Sequence, residues 1–209
     1  MFTQPSLLKP TSRIQSEEIR ISFYNGTMPT GVCGLPGAAN QTTETRYESS
    51  VTVSGGLRGY FKGSIYPDNM NVKGRLLDGT YDVYLGFHKA GHPKEHDLKV
   101  RTNGFRAVLV VNAGQTVRVS SLSRHKHTSD GIHIHNGYHH WHAAHPMSEG
   151  CLTIAPRDWN PFLSMFLNAF PTISDWTSGS SRIGRRIGTV TVRSAIYNDL
   201  VPRKDVLLA

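Results

Sequence analysis

The chain has 209 residues, enough to bury a sizeable core in one domain, and 23 Lys and Arg against 15 Asp and Glu give a net charge of +8. The basic residues are scattered rather than striped, with no zinc-finger spacing, phosphate-binding glycine loop or RNA-binding aromatic signature, so no nucleic-acid partner is expected. No apolar run approaches the ~20 residues of a membrane helix, and two cysteines cannot form a disulfide framework.

The sequence divides into a lead, residues 1–50, expected as an N-terminal extension of unclear role, and a main domain, residues 51–209. Within the lead, Ile19, Ile21 and Phe23 alternate with polar residues and run into Asn25-Gly26, which predicts a strand and turn. Residues 26–50 are rich in Gly, Thr, Pro and Asn and carry no period. Cys33 lies there in the loop-like run Gly31–Gly37, without a base nearby in sequence, and reads as a structural thiol. From Val51 the pattern is β. Val51 and Val53 alternate, Tyr60-Phe61 and Ile65-Tyr66 follow, and Pro67-Asp68-Asn69 and Leu77-Asp78-Gly79 are turns. Tyr81, Val83, Leu85 and Phe87 alternate strictly, giving a strand with one apolar face. Phe105–Val111 is a short apolar run closed by Asn112-Ala113-Gly114, and Val117 and Val119 beyond it suggest the second arm of a hairpin.

One segment has helical spacing. Asn160 suits a cap and Pro161 a first turn; Phe162, Phe166 and Phe170 recur every four residues beside Leu163 and Leu167, and Pro171 ends the pattern. Ile187, Val190 and Val192 mark a last strand. The expected fold is mainly β, with one helix after Cys151.

The chemistry concentrates in Gly131–Ile154, GIHIHNGYHHWHAAHPMSEGCLTI. An apolar strand carrying His133 and His135 is followed by a His-rich loop and then Ser148-Glu149-Gly150-Cys151. A thiol becomes a strong nucleophile when a nearby imidazole stabilises its thiolate and later returns the proton to a leaving amine. Gly150 allows close backbone approach where an oxyanion needs N–H donors, and Ser148 either steadies the turn or binds substrate. His133 and His135 share one face of their strand, because neighbours alternate.

This combination resembles the catalytic domain of the L,D-transpeptidase (YkuD-like) family, in which a His at the end of a strand precedes Ser/Thr-His-Gly-Cys and an apolar residue. His135-Asn136 fits the strand end and Ser148-Glu149-Gly150-Cys151-Leu152 the nucleophile turn. Leu77–Val83 is similar to the family's Pro-x-Gly-x-Tyr/Phe strand start, and Ile187–Val192 to its closing strand; the likeness covers roughly residues 57–193. Glu149 replaces the commonest His, and Thr153 stands where an Arg is frequent, with Arg157 nearby. Such departures are similar to phage-associated and secreted antibacterial members.

The resemblance implies a single β-sandwich or barrel domain acting on peptidoglycan stem peptides. Cys151 is then the nucleophile and His135 the base, oriented by a main-chain carbonyl, with Gly150 and Ser148 in the catalytic turn. His133, Arg157 and Trp141 are expected to contact substrate, Arg157 through a carboxylate. No cofactor or metal is implied. The first residues lack the apolar core of a secretory signal, so action in the periplasm or wall implies non-classical delivery, with any delivery or immunity partner unknown. Two alternatives stand beside this reading. One is a zinc-dependent hydrolase built on His133, His135, His139, His140, His142 and His145, with Glu149 as base. The other is a non-catalytic wall-binding or phage structural module.

Overall fold

Alternating apolar residues become strands wherever the computed structural model describes them, over residues 17–25, 47–67, 74–88, 107–120, 127–137, 148 and 150–194. β1 (Ile19–Asn25) turns Ile19, Ile21, Phe23 and Asn25 inward, and β2 (Ser49–Ser54) does the same with Val51 and Val53. In β3 (Gly59–Ser64) the adjacent Tyr60 and Phe61 separate, Phe61 into the core and Tyr60 into solvent. β5 (Gly79–Phe87) buries Val83, Leu85 and Phe87, and every residue of β6 (Ala107–Val111) is buried. β9 (His133–Asn136), β10 (Leu152–Ile154) and β11 (Ile183–Ser194) complete the main set.

These eight strands form a closed barrel in the order β1-β11-β5-β6-β9-β10-β3-β2. The protein is therefore mainly β. Closure gives every barrel strand two neighbours and removes exposed sheet edges. β1 lies in the segment expected as an N-terminal extension, yet it pairs in parallel with β11 and antiparallel with β2. Residues 19–25 are thus a wall of the barrel.

The pairings give β1, β3, β6 and β11 one direction and β2, β5, β9 and β10 the other. One rim accordingly collects the ends of the first group and the starts of the second, including Ser194, Ser64, Gly79, His133 and the approach to Leu152. A second sheet of three short strands, β4 (Arg75–Leu76), β7 (Val117–Ser120) and β8 (Thr128–Ser129), belongs to this rim, because β4 leads into β5, β7 follows β6 and β8 leads into β9. Leu76, Val117, Val119 and Ile132 extend the core under it.

The hairpin expected between β6 and β7 does not form: β7 pairs with β4 and β8. The reason lies in the turn. Asn112, Ala113 and Gly114 all have left-handed φ, of 51°, 52° and 71°. A two-residue hairpin turn uses at most two left-handed residues in succession, whereas here three in succession lead the chain from β6 toward β7.

α1 (Pro156–Ala169) begins earlier than its sequence pattern suggested, with Pro156 in its first turn and Pro161 inside it. The junction with β10 is tied to β3: Ala155 N–H donates to the Lys62 carbonyl at 2.8 Å, and Lys62 N–H donates to the Asp158 carboxylate at 2.7 Å. Those ties set the start, and Pro161 forgoes one helix hydrogen bond. Trp159, Phe162, Leu163, Phe166 and Leu167 form the buried stripe, and Phe162 meets Phe61 edge-on at 5.3 Å between ring centroids. A second short helix, α2 (Ile173–Trp176), buries Trp176 against Phe87. No helix among the described residues is long and apolar enough to cross a membrane.

Candidate active site

The parallel pairing of β9 and β10 sets Cys151 beside His133 at the rim, with His135 two residues further along β9. Leu152 pairs with Ile134 and Thr153 with His135. Leu152 and Ile134 belong to the core, so the alternate residues share the opposite face of the pair, where His135 and Thr153 are also buried. One step back in the same register, Cys151 lies beside His133. The His133 main-chain N–H donates to Cys151 Sγ at 3.4 Å, and the Gly131 carbonyl lies 3.9 Å from the same sulfur. A main-chain donor on sulfur favours the thiolate form. Cys151 is partly exposed, as a nucleophile requires.

The turn before it is held by Ser148. Ser148 Oγ donates to the Cys151 carbonyl at 2.7 Å and accepts from Gly150 N–H at 3.1 Å. Of the two roles expected for Ser148, steadying the turn is the one the geometry gives it. Gly150 has φ +125°, and a Cβ there would lie 2.5 Å from the Gly74 carbonyl. The space expected to admit substrate is filled by Gly74, next to β4, and the Gly150 N–H is engaged by Ser148. Gly150 therefore shapes the turn and is not an open oxyanion donor.

His135 is 4% exposed. Its Nδ1 lies 2.7 Å from the Asn136 carbonyl. A carbonyl only accepts, so Nδ1 carries the proton and Nε2 keeps its lone pair. Burial holds the His135 pKa down to about 4, against a smaller upward pull from the Asn136 carbonyl and a further downward push from His88. His133 is held lower still, at about 3, first by burial and then by the charges of His88, His135 and Arg182. Both rings are neutral at pH 7. Beyond His135, a side chain at Gly137 would run into the Tyr47 phenol, so residue 47, at the approach to β2, covers this end of β9.

Sequence reasoning missed His88. It follows the last residue of β5, and its ring stacks on His133 at 4.9 Å between centroids and 23° between planes. The available signal was a histidine directly after a strictly alternating strand; its partner was not legible, because β5 meets β9 only across β6. Tyr66 carries no site signal in the sequence beyond its place in the strand pattern. Just past β3, Tyr66 is buried, and its hydroxyl lies 3.3 Å from Ser194 Oγ. Tyr66 also carries the Arg75 guanidinium 5.8 Å above its ring, and Arg75 is paired with Asp78 at 2.7 Å.

Arg157, expected on a substrate carboxylate, is not brought to the thiol. β10 carries the chain about 13 Å away from Cys151 before α1 begins, at ~3.3 Å per extended residue. The Arg157 side chain is 78% exposed and lies 3.8 Å from Asp158. Trp141, Glu149, Cys33, His139, His140, His142 and His145 lie outside the described residues. Among the described residues no group of three or more His, Cys, Asp or Glu is arranged to hold a metal ion.

No protein-family model, curated protein or solved structure matches the chain.

Proposed function

We propose that the protein is a cysteine-dependent acyltransferase or hydrolase of the L,D-transpeptidase type, acting on peptidoglycan stem peptides. The observation that carries this reading is the parallel β9–β10 pair. It unites a partly exposed thiol bearing a main-chain N–H with a buried histidine whose Nδ1 is bound by its neighbour's carbonyl. That carbonyl-oriented base is the arrangement the family resemblance implies.

In this reading His135 Nε2 takes the Cys151 proton as sulfur attacks the carbonyl carbon of an L-centre that precedes a D-residue. The tetrahedral intermediate collapses to a thioester, and the imidazolium gives its proton to the departing amine of the D-residue. Water or a second amine, deprotonated by the same imidazole, then attacks the thioester and releases sulfur. Water yields a trimmed stem, and an amine yields a crosslink or an exchanged D-residue. A neutral imidazole suits proton transfer concerted with attack rather than a standing ion pair.

The test is mass spectrometry of muropeptides incubated with wild type, Cys151→Ala, His135→Ala and His133→Ala. Loss of product with Cys151→Ala and His135→Ala supports the assignment. Loss with His133→Ala alone would move the base one pleat along β9, and full product with Cys151→Ala rejects the cysteine mechanism.

A further inference from the structure

The barrel wall formed by β11, β1, β2 and β3 carries the two exposed large aromatic side chains among the described residues, Tyr24 at 49% and Tyr60 at 63%. Their co-location follows from register. One row across the outer surface reads Arg193–Tyr24–Ser50–Lys62, and the next reads Thr191–Ser22–Thr52–Tyr60. A third begins Thr189–Arg20–Ser54. Tyr60 does not wave free: its hydroxyl lies 3.0 Å from Ser50 Oγ, which leans its ring toward the row that holds Tyr24. Thr80 and Thr191 are likewise joined at 3.0 Å, so the hydroxyl surface continues onto β5.

Two shallow depressions flank this surface. One, of about 830 Å³, is lined by Arg20, Arg58 and Tyr60 together with Glu17 and Glu18; the second, of about 520 Å³, includes Tyr24, Thr80 and Arg193 together with Asp78. None of Arg20, Arg58, Lys62 and Arg193 has an ion pair among the described residues, whereas Arg186 beside them is shared between Asp82 and Glu18. The wall thus combines ordered hydroxyls, two exposed tyrosines and cations at both ends.

We infer that this wall binds the glycan strand of peptidoglycan, a neutral sugar chain that bears carboxylates at intervals. Tyrosine faces pack against the apolar faces of sugar rings while their hydroxyls stay wet. Ser and Thr side chains exchange hydrogen bonds with sugar hydroxyls and amides. The cations stand apart: the row of Arg20 and the row that joins Tyr24 to Arg193 lie about 13 Å apart along β1 at ~3.3 Å per residue, and the row between them holds neutral groups. That spacing fits carboxylates separated by sugars. A nucleic-acid strand, with a charge at every nucleotide, is served by a continuous basic track. The identity of the polymer rests on the activity proposed above, while the sugar-binding character of the wall does not. β3, at one side of this wall, pairs directly with β10, so the wall would hold the polymer while stems reach the thiol.

Binding needs no turnover, so the test uses full-length Cys151→Ala protein. Its co-sedimentation with purified sacculi, and with glycan strands stripped of stems by an amidase, is compared with that of the same protein carrying Tyr24→Ser and Tyr60→Ser. Both tyrosines are solvent-facing, so the fold is expected to survive, and an unchanged melting curve checks this; Tyr60→Phe, which keeps the ring, provides a second variant. The expected result is at least a tenfold weaker affinity for both polymers in the double serine variant and near-normal binding in Tyr60→Phe. Equal binding with and without the tyrosines overturns the proposal. So does tyrosine-dependent binding to a single-stranded oligonucleotide that exceeds binding to stripped glycan. Tyrosine-dependent glycan binding in a protein whose wild type releases no product from stem peptides would keep this wall and remove the cysteine reading.

Discussion

Acidification should destabilise the protein through His135, and the size of the effect follows from its burial. In the unfolded chain a histidine titrates near 6.5, whereas the folded protein holds His135 at about 4. Between these values the unfolded state binds a proton that the folded state excludes, so stability rises with pH across the window and is lost as pH falls through it. Above about 6.5 both states are neutral, and below about 4 both are charged, so the slope vanishes outside the window. From about pH 7.5 to about pH 4.5 the integrated loss is about 2.5 kcal/mol for this residue alone, a sizeable part of a typical domain's stability. His133 adds a loss of the same sign, reduced by its partial exposure. Urea unfolding of wild type and His135→Gln across this range provides the assay. The wild type should lose about 2.5 kcal/mol more than the variant over the same interval. Parallel stability curves, or an NMR titration of the His135 ring with a midpoint near 6.5, would refute the buried neutral base. The same neutrality predicts that the acid limb of kcat/KM lies well below 6.5.

Replacing Cys151 by Ala or Ser should abolish turnover with an unchanged melting temperature, while Cys33→Ser retains activity; product assays and thermal melts check both. Ser148→Ala removes two hydrogen bonds from the nucleophile turn and should cost about 1–3 kcal/mol, read by chemical unfolding, together with a changed rate of Cys151 alkylation by iodoacetamide. Gly150→Ala meets both a left-handed backbone and the Gly74 carbonyl, so it should lose activity and at least about 2 kcal/mol; wild-type stability would overturn the account of that turn. Arg157→Ala should alter stability by less than about 0.5 kcal/mol and leave KM for stem peptides unchanged, and a raised KM would return Arg157 to the site.

The strands and the helix face were legible because their signals are local: a period of two in β1, β2 and β5, and a repeat near four from Phe162 to Phe170. The pairing of a cysteine turn with strand histidines was legible for the same reason, since Gly131–Ile154 spans only one loop. Topology was not local. Whether Val117 and Val119 paired with β6 depended on three left-handed residues in Asn112–Gly114, and such φ values are not written in residue types when one of the three is Ala. That residues 19–25 complete the barrel depended on β11, well over a hundred residues distant, which offered the open partner. The helix start moved because the Lys62 backbone, on another strand, engaged Ala155 and Asp158.

The site divides along the same line. Sequence by itself determined the nucleophile turn and the strand that carries the candidate base, because the chain runs through both within one short segment. Tertiary structure decided which groups stand around them. Barrel closure stacked His88 on His133, and it pointed β10 away from the thiol so that Arg157 left the site. It also aligned Tyr24 and Tyr60, 36 positions apart, on one outer wall. The physical reason is that alternation states which residues share a face of their own strand, while only register between strands states which faces become neighbours.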